Sequence, residues 1–384
     1  MLSVGEKLDA SKGIGPGFDF LRIFLALSVL GAHSVLISEG ERNQFAFPPM
    51  NLIHWTILPL FFALSGFLIT GSALRLRLQD FLLNRAMRIV PALAVDIFIS
   101  ALLIGPIFTR VPLKVYFTQY EFYAYFANIT GIIHYVLPGV FEHNPFPSTV
   151  NGSLWTVPFE IGCYAIMSLF IVTGLLKRPA LFAATCCGII GFVLITYAPW
   201  FHALDVLPKR VDTLLSHFFE ERGNLLYCYF ACGCLFYVFR YRVPFSVYGF
   251  CVCLAIYACG AAEVFGTGLA GKVFLMPLIV YCMIFVGLSR IPKLPLYHRG
   301  DYSYGIYLYG YPLQQALVAS FPQMTSPVLH FAITLPLVTL VAMFSWHCVE
   351  KPILRLRRKF SFTARKGDSV QEETMPRSVE AAKA

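Results

Sequence analysis

Charged side chains are scarce. Asp, Glu, Lys and Arg make up 13% of the 384 residues, against roughly 25% in soluble domains. An ordinary water-facing surface is therefore excluded. Two soluble-enzyme signatures are missing too: the glycine-rich phosphate loop with a following lysine, and the Gly-x-Ser-x-Gly nucleophile elbow. Eleven cysteines are present, but Cys232-x-Cys234 and Cys251-x-Cys253 lack the His or Cys partners of a zinc site. Seven of the eleven, from Cys228 to Cys282, lie in apolar runs and read as small buried apolar residues. No metal is expected. No small-residue cleavage site follows the first apolar run, so that run is expected to stay as a span. No internal repeat is visible. Nor is any polar stretch long enough for a soluble catalytic domain, so chemistry has to take place among helices.

What is abundant is apolar length. Hydrophobic residues reach 57%, mean hydropathy is +0.67, and there are 36 Phe and 20 Tyr. A helical span needs about 20 mostly apolar residues. About ten such runs occur, near 18–38, 51–73, 86–108, 154–175, 179–199, 223–239, 244–262, 270–289, 302–321 and 328–349. Several hold Pro or Gly, which membrane helices tolerate. The expected fold is all-α and polytopic: a 1–17 N-terminal segment, an 18–358 membrane domain and a 359–384 disordered polar tail. The aromatic segment 115–140 reads as interfacial or re-entrant, with an eleventh span as the alternative.

Ten spans place both termini on one side, and loop charge chooses which. One set of loops, with the segment leaving the last span, holds 18 Lys and Arg; the opposite loops hold seven. The basic side faces the cytoplasm. The net charge of +9 then reflects topology and anionic-lipid contact, and no nucleic-acid partner is needed.

Ionisable residues within spans are costly, which marks them as functional candidates. Arg22 and His33 are 11 residues apart, so they share a helix face at roughly 16 Å separation. A long substrate could dock its charged end at Arg22 and reach His33 with its reactive end. The plain alternative is a cation paired with Asp19 and a histidine bonded within the bundle. Arg85 and Arg88 share a face at i, i+3 and could clamp a phosphate, or simply anchor the cytoplasmic boundary. Glu160 lies roughly 10 Å and His33 about 8 Å below the outer boundary. A Glu160–His33 contact would fix the imidazole tautomer; an unrelated buried acid is the alternative. Asp96 is a further intramembrane acid without a nameable partner. Tyr304, Tyr307 and Tyr311 fall on one face, as a polar channel or as interhelical glue. Asp301 reads as a helix N-cap, and Ser65-Gly66 as a close-packing pair.

Taken in order, these segments resemble the acyltransferase-3 family. The matching stretches are FDFLRIFLALSVLGAHS, FFALSGFLIT, NRAMRIVPAL, NGSLWTVPFEIGCY, DYSYGIYLYGYPLQQ and VEKPILRLRR. They cover about residues 18–358. The resemblance implies about ten helices, an acyl-CoA donor reached from the cytoplasm, and acylation of a saccharide on the outer side. It makes His33 the catalytic histidine, Arg22 the donor-associated arginine, and Arg85 and Arg88 the cytoplasmic pair. Many members carry a histidine where this chain has Gly310. Some have an added esterase-like outer domain that this sequence does not show, so transfer is expected to finish within the membrane domain or with a partner.

The reading is a membrane O-acyltransferase with His33 as general base or acyl carrier and Glu160 orienting it. Acyl-CoA, by default acetyl-CoA, is the co-substrate near Arg22, Arg85 and Arg88, and no cofactor is bound permanently. Asn151, Trp155, Tyr304 and Tyr307 are the candidate substrate-binding residues. Expected partners are membrane lipids, a surface or lipid-linked saccharide such as lipopolysaccharide or exopolysaccharide, and polysaccharide-assembly proteins, in a bacterial inner membrane. The rivals are a secondary transporter, which fits helix number and buried polar groups equally, and a non-catalytic assembly partner.

Overall fold

Each of the ten apolar runs is helical over most of its described residues. The computed structural model describes residues 2–13, 15–40, 53–196, 221–264, 268–292 and 300–360. The helices, in chain order, are α1 (Val4–Ala10), α2 (Phe18–Glu39), α3 (Leu58–Ala73), α4 (Leu78–Ile99), α5 (Val157–Thr173), α6 (Pro179–Thr196), α7 (Glu221–Val238), α8 (Val247–Val264), α9 (Gly268–Leu288), α10 (Ser303–Ser320), α11 (Pro327–Ser345) and α12 (Lys351–Phe360). There is no β-strand among the described residues, only two isolated bridges. Residues 361–384, together with Arg42, Lys209, Arg210, Lys293 and Arg299, which entered the charge count, lie outside the described residues.

Among the described residues, six helices are long and apolar enough to cross a membrane: Phe18–Glu39, Trp55–Ala73, Leu78–Phe108, Gly152–Thr173, Gly271–Leu288 and Pro327–Leu356. Pro179–Ile195, Gly223–Val238 and Val247–Gly260 are apolar but shorter. α10 stands apart for a physical reason. It is buried along most of its length and packs against α2 and α11. Facing protein rather than lipid, it can carry Tyr, Gln and Ser that a lipid-facing helix could not.

The sequence boundaries shift at α4. The helix begins at Leu78, eight residues before the apolar run, so Arg85 and Arg88 sit inside it. Its far end loosens into a π-turn at Ser100–Ile104, where Tyr116 donates a hydrogen bond to the Ala101 carbonyl at 2.7 Å. Residues 113–130 form short helical pieces, none long enough to cross a membrane, and the chain then runs irregularly to 150. No helix over 115–140 is long enough to be the eleventh span that the sequence left as an alternative.

α3 and α7 make the closest helix pair, and glycine is the reason. A Cβ on Gly66 would collide with the Phe230 carbonyl, and one on Gly233 with the Ala63 carbonyl. Small residues at reciprocal positions let two membrane helices approach to backbone contact. At the amino terminus, Ser3 caps α1 by accepting from the Glu6 amide at 3.1 Å, while Glu6 Oε2 accepts from the Ser3 amide at 2.7 Å. α1 is tied to the α7–α8 turn, where Tyr241 donates to Asp9 at 2.7 Å.

Candidate active site

The first turns of α2, the middle of α4, the residue before the cap of α10 and the π-turn after α11 meet, and each brings a charge. Arg88 Nη2 donates to Asp301 Oδ2 at 2.7 Å. Arg22 Nη1 lies 3.4 Å from the same oxygen and 3.7 Å from Asp19. Arg88 Nη1 also comes within 3.9 Å of Glu350. Its guanidinium lies over the rings of Tyr304 and Trp346 at 5.9 and 5.7 Å. Asp301 therefore does more than expected of it. The N-cap of α10 is Tyr302, and Asp301, one residue earlier, bridges two arginines and accepts from Ser303 Oγ at 2.7 Å. Burial alone would push its carboxyl upward, but Arg88 and Arg22 outweigh that and hold it at about 2.

Above this cluster is a cavity of about 150 Å³. Arg22, Arg85, Arg88, Glu160, Tyr304 and Tyr307 all line it, together with Ser65, Thr156, Cys163 and Tyr164. Residues from five helices and far-apart positions thus converge on one cavity. Within the set, Arg85 is distinct. It makes no salt bridge among the described residues, and its Nε is buried without a hydrogen-bond partner. The Tyr304 hydroxyl is likewise buried and without a partner among the described residues. Both side chains line the cavity, with Tyr164 beside Arg85.

His33 does not line the cavity. It lies three turns up α2 from Arg22, and its ring meets Tyr311 edge-on at 4.9 Å. Glu160 faces the arginines across the cavity; no hydrogen bond or salt bridge joins it to His33 among the described residues. The tyrosine face divides accordingly. Tyr304 and Tyr307 belong to the cavity, and Tyr311, one turn on, belongs to His33. Around His33, α10 is stitched to α2 by Gln314, whose Nε2 donates to the Leu30 carbonyl at 3.0 Å and to Ser34 Oγ at 2.6 Å. Gly310, where the resemblance expects a histidine, faces α2: a Cβ there would meet Leu30 Cδ1 at 2.6 Å.

The two outer candidates are placed differently from the expectation. Asn151 is fully buried, and its amide donates to Asp96 Oδ2 at 2.8 Å and to the Leu308 carbonyl at 3.0 Å. It is a bracing residue within the protein, and it is the partner that Asp96 lacked in the sequence. Trp155 is half-buried and packs edge-on against Phe159 at 5.8 Å, away from the cavity lining. Asp301, Glu350 and Gln314 were missed as site residues, because nothing local in the sequence marks partners so far along the chain.

The description "acyltransferase domain" of one protein family matches residues 16–347. The chain belongs to the acyltransferase-3 family. It is thus an enzyme of acyl transfer, built as a membrane protein, and the transporter and assembly-partner rivals fall. This acyltransferase is 28% identical over 352 residues to an O-acetyl transferase of Shigella phage Sf6, covering 88% of this chain and 95% of the relative. It is 26% identical over 381 residues to YrhL of Bacillus subtilis strain 168, a candidate peptidoglycan O-acetyltransferase; there 88% of this chain spans about half, 54%, of the relative. It is 25% identical over 384 residues to nodulation protein 10 of Rhizobium leguminosarum bv. viciae, covering 92% and 97%. No solved structure matches the acyltransferase.

Proposed function

We propose that this acyltransferase moves an acetyl group from acetyl-CoA, bound from the cytoplasm, to a hydroxyl of a saccharide at the outer face of a bacterial inner membrane. The observation that carries this reading is the convergence of Arg22, Arg85, Arg88, Glu160 and Tyr304 on one cavity, with α2 leading from it to His33. Two relatives named as O-acetyl transferases support acetyl as the group and a saccharide as the acceptor. The phosphates of CoA are anions that a guanidinium binds in bidentate fashion, and Arg85 is the one of the three arginines without a salt bridge among the described residues. Arg22 and Arg88, already held by Asp301, shape the site. A volume of about 150 Å³ is that of a few water molecules. It suits the thioester end of the donor, with the nucleotide left at the cytoplasmic surface and the pantetheine arm running along α2.

In the transfer, neutral His33 takes the proton of the saccharide hydroxyl as its oxygen attacks the thioester carbonyl. The carbon–sulfur bond breaks, and the departing CoA thiolate takes up the proton from the imidazolium. Among the arginines, Glu160 acts as their counter-charge rather than as the residue that orients His33. Ten spans with both termini cytoplasmic fit this scheme. The basic cluster and the α2, α4 and α10 starts then share the inner end, and His33 the outer half.

The test is release of CoA thiol from acetyl-CoA by purified protein with a saccharide-bearing membrane extract. The parent turns over, and His33→Ala loses about 10²- to 10⁴-fold in kcat. Absence of thiol release from the parent, with acetyl-CoA and with longer acyl-CoAs, would refute the reading.

A further inference from the structure

The mechanism above gives no task to the buried acid Asp96. Asp96 is almost wholly enclosed in the last turn of α4, just before the π-turn at Ser100–Ile104, within an apolar stretch where a carboxyl is costly to insert. Its Oδ2 accepts from Asn151 Nδ2 at 2.8 Å, and its Oδ1 has no partner among the described residues. Its one bond is therefore to Asn151.

Asn151 connects in turn to α10. Pro312 lacks an amide hydrogen, so the Leu308 carbonyl, four residues earlier, has no donor within its own helix. Asn151 supplies one at 3.0 Å. The next residue, Gly152, is the seat of a ring. A Cβ at 152 would lie 2.6 Å from Tyr311 Cε2, so only glycine lets Tyr311 take its place. The ring held there is the one that meets His33 edge-on at 4.9 Å. Tyr307 secures the other side of the turn by donating to the Ser153 carbonyl at 3.1 Å.

We infer that Asp96 and Asn151 are a positioning pair for His33, fixing through Gly152 and Tyr311 the face that the imidazole presents. Neither touches the reacting atoms. The pair closes a gap that Pro312 opens in α10 and converts it into a defined contact at the histidine. The inference rests on the reading of His33 as the reacting base.

Three variants test it: Asp96→Leu, Asp96→Asn and Asn151→Ala, each first shown to be monodisperse in detergent. Two quantities are measured: kcat and KM for acetyl-CoA in transfer, and the rate at which diethyl pyrocarbonate carbethoxylates His33, followed by peptide mass spectrometry. In Asp96→Leu and Asn151→Ala, kcat falls about 10- to 100-fold, as for a misplaced catalytic group, while KM stays within about twofold of the parent. The carbethoxylation rate of His33 changes with kcat. Asp96→Asn keeps an oxygen for Asn151 and retains kcat within about threefold. Unchanged kcat and unchanged carbethoxylation in Asp96→Leu would overturn the inference. So would an Asp96→Asn protein as damaged as Asp96→Leu, since the charge and not the hydrogen bond would then matter. Should Asp96→Leu fail to fold, the contrast between Asp96→Asn and Asn151→Ala decides. Carbethoxylation needs no turnover, so a parent inactive on acetyl-CoA would sink the functional reading while this pair is still judged on the second measurement.

Discussion

Arg85 and Asp301 show how differently two charged residues of one site can behave. Arg85 has neighbours but no salt bridge among the described residues, whereas Asp301 joins Arg88 and Arg22 through a single oxygen. On the proposed reading, Arg85→Gln raises KM about tenfold or more for acetyl-CoA, the size of one charge-assisted contact. It leaves KM for phosphate-free S-acetyl-pantetheine unchanged; an equal effect on both donors would remove Arg85 from phosphate binding. Asp301 predicts a pH effect of definite sign. Its pKa is depressed from 3.8 to about 2, so its stabilisation is complete above 3.8 and is lost as pH falls through about 2. Asp301→Asn therefore costs about 2 kcal/mol at neutral pH, and thermal melts of the two proteins converge as the pH approaches 2. Residues such as Arg22, Arg85 and Glu160 were legible because a charge within a span is conspicuous. The role of Asp301 was not, because an acid before a helix also reads as a cap and its arginines lie 213 and 279 positions away. Asn151 looked like a ligand-binding side chain for the opposite reason. Its position at an outer turn was visible, but the proline-freed carbonyl that claims its amide was not.

At the scale of elements, backbone chemistry made most of the fold readable. In an apolar solvent each amide and carbonyl must be satisfied within the segment, so long apolar runs become helices, and all ten did over most of their described residues. The misjudged boundary was α4, whose first two turns interrupt the apolar run with Gln79, Asp80 and Asn84. The π-turns at Ser100–Ile104 and Trp346–Glu350 left no signature, since they arise from tertiary packing. The α3–α7 contact was half-readable: Ser65-Gly66 signalled close approach, but its reciprocal Gly233 lies far along the chain. Gly233→Leu forces the helices apart and is expected to destabilise the protein by about 2 kcal/mol or more through overpacking. A thermal melt in detergent checks it, with Gly174→Ala as a comparison: nothing lies within 4 Å of that added Cβ, though its φ of +65° adds some strain.

For the molecule as a whole, the arrangement has two ends. Arg22, Arg88, Asp301 and Glu350 gather at one, and His33 with Tyr311 and the Asn151 turn lies toward the other. The N-terminal helix and the basic α7–α8 turn are joined by hydrogen bonds, so they share a side of any membrane. Cysteine-accessibility labelling checks the proposed orientation. A cysteine introduced at Arg242 should react with an impermeant maleimide only after cells are opened, and one at Glu142 in intact cells; the reverse pattern would invert the topology.

The separation of Arg22 from His33 along α2 has a logistical consequence. An enzyme that grips its donor at one end and reacts at the other lets only the acyl fragment change compartments. On the proposed reading the spent carrier stays on the side where it is recharged, so the cell would lose none of its coenzyme to the exterior and would need no separate exporter for an activated, highly charged nucleotide.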